Sequence, residues 1–357
     1  MRLLLETTPL QGDGAGRGLG RYVRELQAAL ESQGHLDLFT VPTGGHRLAE
    51  FAALPRRQRS LRQQSHDLLY APTPLHVPLR SRTPWVASIL DTIPLDVVTH
   101  RPTGGKTQAF YRLAARADAI LTLSCDAADR ITERLGVPRD RIVVAPLPSP
   151  VLPDAHLADV AVPGLPSGRY AVGMADVSTP DPRKRIPWYS AVGKRLKEAD
   201  IVLVLVGPGT DGPGAPAHTI GLGRLSDLQW SHVLARSTVF VYSSAFEGQG
   251  LPPLEAMAHG VPVVAMDNTA VREVVGFAGV LVPELHPPGL AAAADHSASD
   301  PGAQDLAWAV LRLLEDTDAR ARLATAGAAR AATFDVTRFR AGVRAAGLIA
   351  CDARRGS

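Results

Sequence analysis

Short apolar segments alternate with amphipathic segments along most of the chain. The amphipathic ones repeat apolar residues at helical spacing, as in Leu19, Tyr22, Val23, Leu26 and Leu30. The short segments are apolar at nearly every position, which is typical of strands covered on both faces of a parallel sheet. We therefore predict strands at residues 3–5, 36–41, 68–71, 85–90, 120–123, 142–144, 170–173, 201–206, 239–243, 261–266 and 280–282.

A proline-rich segment divides this alternation into two halves. Six prolines fall between residues 146 and 166, where proline without periodicity is typical of a semi-rigid linker. Strand–helix alternation on both sides predicts an α/β protein with two doubly wound, Rossmann-like lobes that face a cleft. We expect lobes over residues 1–150 and 169–334, a linker over 151–168, and a helix over 335–357 that returns to the first lobe.

The composition excludes several classes of protein. Lys and Arg total 38 against 35 Asp and Glu, so the net charge of +3 lacks the basic excess typical of nucleic-acid binders. The apolar runs are too short for a membrane-spanning helix, and the apolar run at the start of the chain is too short for the core of a signal peptide. Cys125 and Cys351 form neither a disulfide framework nor a metal-ligand motif. We expect a cytoplasmic protein with no nucleic-acid partner.

A glycine-rich turn after the strand at 239–243 is the strongest candidate site. Gly248 and Gly250 allow a ligand close to the backbone, and the free N–H groups of the helix that follows attract phosphate or sugar oxygens. Glu247 lies on the turn, and Glu255 follows eight positions later in the helix. Two acids that bracket such a turn indicate ligand binding. The alternative is a solvated Glu247 and a Glu255 that only complements the helix dipole.

A second candidate site follows the first strand of the second half. Arg183, Lys184 and Arg185 place three cations at a strand–helix turn, where a diphosphate could bind. Lys184 is one of only four lysines in the chain. The alternative is a solvated charged face, but the carboxyl edge of a doubly wound sheet favours binding.

Two features of the first half carry open alternatives. The segment Gly12–Gly20 follows the first strand but lacks G-x-G-x-x-G spacing, which argues against a nicotinamide-dependent oxidoreductase. It is either a loop that closes over substrate or a solvated loop. Asp91 ends the strand at 85–90 and either borders the cleft or forms an Asx turn.

Two further motifs favour structural interpretations. Asp316-Thr-Asp318 copies the D-x-D metal motif, yet it links two predicted helices, where Asp serves as an N-cap. An arginine run could contact an anionic acceptor or a membrane, but it more simply forms the solvated face of a helix. That run comprises Arg56, Arg57, Arg59 and Arg62.

Together these segments resemble the retaining glycosyltransferases of family 4, which have the two-lobed GT-B fold. The Glu247–Glu255 pair matches that family's Glu-x7-Glu signature, and the resemblance continues through the segments at 18–22, 121–124, 136–142, 183–184, 262–265 and 273–276. It implies that Glu255 binds the ribose, that Glu247 lies beside the transferred sugar, and that Arg183 or Lys184 neutralises the diphosphate in place of a metal ion. Backbone amides of Gly248, Gln249, Gly250 and Leu251 would hold sugar and phosphate oxygens, and the loop at Gly18 and Gly20 would cover the phosphates or the acceptor.

The resemblance also implies a reaction. A hexose or deoxyhexose would pass, with retention and without metal, from a nucleotide-diphosphate sugar to an acceptor hydroxyl, with Glu247, Asp91 and Lys184 as catalytic residues. No cofactor would be tightly bound. The acceptor would be a small molecule, a glycan or a lipid-linked molecule, and residues 42–66 would form part of its binding site. A peripheral membrane contact of the first lobe and the oligomeric state stay open. The alternatives are a catalytically impaired binding partner and a sugar-nucleotide epimerase of the same fold.

Four departures from the family bear on the donor sugar. Leu90 replaces a histidine that contacts the C6 hydroxyl in similar sequences, Gln249 replaces an aromatic residue, and Arg185 replaces an asparagine. An arginine often found just after the first strand of the second half is absent from residues 173–176. An apolar side chain can pack against a methyl group but cannot satisfy a hydroxyl, so Leu90 favours a 6-deoxy sugar.

Overall fold

The computed structural model describes residues 1–11, 18–41, 47–97, 104–149, 160–179, 181–285 and 297–355. They form two compact units. The first unit holds the described residues up to Leu95, those from 104 to Pro148, and those from Asp335 onward; the second holds those of Ser149–Phe334 with Asp96 and Val97. In the predicted linker, residues 151–159 lie outside the described ones, and residues 160–168 form neither helix nor strand.

The first unit contains a six-stranded parallel sheet. Its strands are β1 (Arg2–Glu6), β2 (His35–Phe39), β3 (Leu68–Ala71), β4 (Trp85–Ser88), β5 (Ala119–Thr122) and β6 (Ile142–Val144), in the order β2-β1-β3-β4-β5-β6. Its helices are α1 (Gly18–Glu31), α2 (Arg47–Gln63), α3 (Ile93–Asp96), α4 (Gly104–Ala114) and α5 (Cys125–Leu135), with the C-terminal helix described below. The strands β1, β3, β4 and β5 are buried as their composition predicts, and Leu3, Leu4 and Leu5 are fully covered. The edge strand β2 is not covered on both faces, since Leu38 is 49% exposed.

The second unit repeats this architecture. Its strands are β7 (Tyr170–Met174), β8 (Val202–Val206), β9 (Thr219–Gly221), β10 (Val239–Tyr242), β11 (Val263–Asp267) and β12 (Val280–Pro283), all parallel, in the order β12-β11-β10-β7-β8-β9. Its helices are α6 (Trp188–Glu198), α7 (Asp227–Arg236), α8 (Leu251–Ala258), α9 (Thr269–Val275), α10 (Pro301–Glu315) and α11 (Thr317–Ala331). Apolar clusters cover both faces of this sheet. The predicted α/β fold with two doubly wound sheets is therefore confirmed.

The last helix, α12 (Val336–Arg355), packs within the first unit. The Tyr70 hydroxyl on β3 donates to the carbonyl of Val343 at 3.1 Å. A Cβ at Gly342 would lie 2.6 Å from that of Ala145, so this helix approaches the end of β6 too closely for a larger residue. Among the described residues, no helix is long and apolar enough to cross a membrane.

The arginine run on α2 does not form one solvated face. Arg56 and Arg59 are exposed, but Arg57 is completely buried, and its Nη1 donates to the carbonyl of Leu75 at 3.3 Å. Arg57 also partly balances the charge of Glu6 at the end of β1, where burial raises the pKa of the carboxyl. The prediction was wrong for Arg57 because spacing alone does not show which turn of a polar helix meets the core.

Candidate functional site

The order of the second sheet brings two predicted motifs together. The strands β7 and β10 are neighbours, and the chain leaves β7 toward β8 on one side while β10 continues to β11 on the other. The crevice outside the carboxyl ends of such strands is where open α/β sheets bind ligands. The loop after β7 carries residues 181–185, which we term the cation turn, and the loop after β10 carries residues 243–250, the glutamate loop.

The cation turn is a short 3₁₀ helix, Pro182–Lys184, with an aspartate cap. The Asp181 carboxylate accepts two hydrogen bonds from Arg183, one from the backbone N–H at 3.1 Å and one from the side-chain Nε at 2.7 Å. Arg185 ends the turn in the left-handed region, with φ of 49°. Arg183 and Lys184 therefore lie side by side on a fixed turn.

Backbone contacts join the glutamate loop to the cation turn. The N–H of Ala245 donates to the carbonyl of Arg183 at 2.7 Å, and the Ser243 hydroxyl donates to that of Lys184 at 2.8 Å. From the end of β11, the side-chain amide of Asn268 donates to the carbonyl of Ser244 at 2.6 Å. Three strand ends thus fix one loop, which pre-organises the side chains it carries.

Glu247 is the centre of the site. Its Oε1 accepts from Lys184 Nζ, from the Tyr242 hydroxyl at 2.7 Å and from the Ser244 hydroxyl at 2.5 Å. Its Oε2 lies 3.5 Å from Nη1 of Arg183. Because the side chains of Glu247 and Lys184 are 12% and 29% exposed, the ion pair is partly shielded from water.

The charges of this cluster are strongly coupled. Burial alone would raise the pKa of Glu247, but Lys184 and Arg183, with hydrogen bonds from Lys184 and Ser244, lower it to about 2. Burial lowers the pKa of Lys184 against the opposing effect of Glu247. Burial and the Glu247 charge raise the pKa of Tyr242 well above 10. Glu247 is therefore ionised at neutral pH, and the Tyr242 hydroxyl remains a donor.

The glutamate loop leads into α8. Gly250 caps this helix with φ of 87°, a conformation that favours glycine, and Leu251 and Pro252 form its first turn. Gln249 is buried, and Gly248 is partly exposed. Within the helix, Glu255 accepts from Trp230 Nε1 on α7 at 2.9 Å. The structure thus places all the predicted residues of this motif on one strand–turn–helix unit.

The other predicted site residues lie in the first unit. Asp91 Oδ1 accepts the N–H of Ile93 at 3.0 Å, so Asp91 forms a local turn before α3, as its structural alternative predicted. Gly18 and Gly20 lie in the first turn of α1, and residues 12–17 are outside the described part of the chain. The functional roles of Asp91, Gly18 and Gly20 remain predictions.

Arg185 does not belong with the other two cations. It is completely buried, its guanidinium forms a two-pronged pair with Glu284 at 2.7 and 2.9 Å, and it lies 4.2 Å from the centre of the Trp188 ring. The expected triple cation cluster is therefore a pair, Arg183 and Lys184.

Sequence reasoning missed several residues that hold the site. They are Tyr242, Ser244, Trp230, Asn268 and Thr269, and the last accepts the N–H of Glu247 at 3.2 Å. Only their position could have identified them from the sequence, because most of them lie at or just beyond the carboxyl ends of β10 and β11. The D-x-D motif is structural at Asp316, which caps α11 by accepting the N–H of Ala319. Over the described ranges, no group of three or more His, Cys, Asp or Glu is placed to hold a metal ion.

Part of this chain is similar in sequence to known glycosyltransferases. Residues 174–316 match the glycosyl transferases group 1 family. The O-antigen chain mannosyltransferase B of Escherichia coli is 32% identical over 192 residues, which are 46% of this chain and 47% of that protein. The chain thus spans about half the length of that relative.

Solved structures extend the likeness to the whole chain. Sucrose-phosphate synthase from Thermosynechococcus elongatus superposes with a TM-score of 0.72 at 19% identity, over 100% of both chains. The Anabaena protein HepE, in complex with UDP and glucose, gives a TM-score of 0.63 at 18% identity, over 96% of this chain and 98% of that one. These matches confirm the predicted GT-B fold, and residues 174–316 of the chain are similar to the group 1 glycosyl transferases.

Proposed function

We propose that this protein is a retaining glycosyltransferase that uses a nucleotide-diphosphate sugar and needs no metal ion. The observation that carries the proposal is the Arg183–Lys184–Glu247 cluster at the switch point of the second sheet, next to the N-terminus of α8. Fixed cations and the positive end of the α8 dipole suit a diphosphate, and the partly buried carboxylates of Glu247 and Glu255 suit sugar and ribose hydroxyls. The similarity to a mannosyltransferase and to a protein in complex with UDP and glucose supports the use of a nucleotide sugar.

The proposed chemistry follows from where charge develops. As the bond between the anomeric carbon and the phosphate oxygen breaks, its electron pair goes to the diphosphate, and positive charge develops on the sugar ring. Arg183, Lys184 and the start of α8 stabilise the leaving diphosphate without reorganising, because the two loops are already held together. Glu247 orients the sugar through its hydroxyls. The acceptor oxygen bonds to the anomeric carbon on the same face and gives its proton to the leaving phosphate.

A nucleotide-sugar screen tests the proposal. The protein is incubated with guanosine, uridine and thymidine diphosphate sugars, with and without EDTA, while thermal unfolding and release of the nucleoside diphosphate are measured. We expect one donor class to raise the unfolding temperature and to be turned over at a rate that EDTA does not change. The anomeric configuration of the sugar in the product should be the same as in the donor. Binding without turnover would support the impaired binding protein instead. Neither binding nor release with any donor would contradict both.

Leu90 predicts a preference within the donor class. If this half-buried side chain takes the place of the family's histidine, a donor with a methyl group at C6 is favoured over its 6-hydroxyl counterpart by about 1–3 kcal/mol, roughly 5- to 150-fold in kcat/KM. GDP-D-rhamnose and GDP-mannose form a matched pair that differs only at C6. We expect the ratio of their kcat/KM values to favour GDP-D-rhamnose, or the corresponding 6-deoxy sugar on another base.

The Leu90→His variant supplies the control for this prediction. It restores a polar partner for the C6 hydroxyl, so the ratio should shift toward the 6-hydroxyl donor. A wild-type preference for the 6-hydroxyl donor, unchanged in Leu90→His, would show that Leu90 does not contact this part of the sugar.

A further inference from the structure

Tyr242 is the last residue of β10, and its hydroxyl touches both charged partners of the site. The hydroxyl lies 2.7 Å from Glu247 Oε1 and 3.2 Å from Lys184 Nζ. A phenol has one proton to give and lone pairs to accept with, whereas the lysine ammonium can only donate. The geometry therefore has Tyr242 donating to Glu247 and accepting from Lys184.

The two oxygens of Glu247 are used unequally. Oε1 receives three donors, from Lys184, Tyr242 and Ser244, which occupy the lone-pair directions of one carboxylate oxygen. Over the described residues, the contact of Oε2 is the 3.5 Å approach of Arg183 Nη1, longer than a good hydrogen bond. Oε2 thus keeps acceptor capacity for a ligand.

The rest of the Tyr242 side chain is held firmly. It is buried at 2% exposure and stacks on Phe240, with ring centroids 6.0 Å apart. Because the ring is fixed by packing, the hydroxyl is a fixed point against which the longer Lys184 and Glu247 side chains are held.

We propose that Tyr242 is a positioning residue of the transfer reaction, whose hydroxyl fixes the rotation of the Glu247 carboxylate and turns Oε2 toward the sugar. This role for the sugar rests on the proposed function, whereas the hold on Glu247 does not. Tyr242 is buried beneath both charged groups, so it acts through Glu247 and Lys184.

The variant Tyr242→Phe tests the proposal because it removes the hydroxyl and keeps the stacked ring. We expect kcat to fall about tenfold, as for loss of one hydrogen bond to a charged group, while the affinity for the nucleoside diphosphate alone changes less than threefold. In a Glu247→Gln background, the same change should have little further effect on kcat, because residues that act through one another are not additive.

Tyr170→Phe is the matched control. Tyr170 is also buried on a strand of the second sheet, but its hydroxyl donates to the carbonyl of Val233 at 2.8 Å, away from the charged cluster. This variant should lower the unfolding temperature without changing kcat. If Tyr242→Phe behaves like Tyr170→Phe, Tyr242 is only a packing residue. If it lowers kcat equally with and without Glu247, Tyr242 does not act through Glu247, and the proposal is wrong.

A titration of the free protein separates this proposal from the proposed function. With carbon-13-labelled glutamate, NMR follows the ionisation of the Glu247 carboxyl in both variants. Loss of a donor to the ionised form should raise the pKa of Glu247 in Tyr242→Phe and leave it unchanged in Tyr170→Phe. An unchanged value in both would overturn the proposal even if the wild-type protein transfers sugar, and a raised value would support the hold on Glu247 even if it does not.

Discussion

Replacing Lys184 with alanine is expected to lower the rate of sugar transfer by about 10²- to 10³-fold, the usual cost of removing one fixed group that stabilises developing charge. Lys184 Nζ is bound to Glu247 and to the Tyr242 hydroxyl, so it is already oriented before a ligand arrives. Its loss removes a positive charge from where the proposed diphosphate leaves. Steady-state kinetics with the donor found in the screen measure the effect, and we expect kcat to fall more than KM rises.

Lys194→Ala is the control for this experiment. Lys194 is another of the four lysines and is exposed on α6, so the same change in net charge should leave the rate unchanged. A Glu247→Ala variant provides the reciprocal test at the other end of the ion pair. If both Lys184→Ala and Glu247→Ala transferred sugar at the wild-type rate, the site would lie elsewhere.

The strands and most helices could be predicted because their signal is local. Continuous apolar runs located eleven of the strands, with ends that differ by a few residues: β2 ends at Phe39 and β4 at Ser88. The missed strand, β9, has only three residues and is an edge strand with a half-exposed centre, Ile220, so it lacks a buried run.

The motifs of the site could be predicted, but their contacts could not. Glu247 and Lys184 each follow a strand of a βα unit, which made both candidates. They are 63 residues apart, and they meet only because β10 lies beside β7, a pairing that hydrophobic periodicity does not specify. In the sequence, Tyr242 is indistinguishable from any other buried strand residue, because its role depends on Glu247 and Lys184, which lie beyond the end of the strand.

Arg185 shows the same limit for charge. A run of three basic residues gives no indication that the third reverses direction. In the structure the left-handed backbone at Arg185 ends the turn, and its side chain enters the space between Trp188 and Glu284, 99 residues further along the chain. The third basic residue thus forms a structural ion pair with Glu284 and does not join Arg183 and Lys184.

Replacing Glu284 with alanine is expected to reduce the free energy of unfolding by about 3–5 kcal/mol, because it leaves the buried Arg185 without its carboxylate. The Arg185 side chain is fully buried and that of Glu284 is 8% exposed, so the charge left on Arg185 would be poorly solvated. Urea unfolding measures the loss. Tryptophan fluorescence is a suitable signal, since the Trp188 ring lies 4.2 Å from the guanidinium carbon.

Two further variants separate the buried charge from general damage. Glu198→Ala removes the carboxylate from the exposed Arg195–Glu198 pair on α6 and should cost less than about 1 kcal/mol. The double variant Arg185→Asn, Glu284→Leu removes both buried charges and places at position 185 a residue that tolerates positive φ. It should be more stable than Glu284→Ala alone, because the penalty comes from an unpaired charge rather than from the absence of the pair. If Glu284→Ala cost no more than Glu198→Ala, the Arg185–Glu284 pair would not be what holds the end of the cation turn against the sheet.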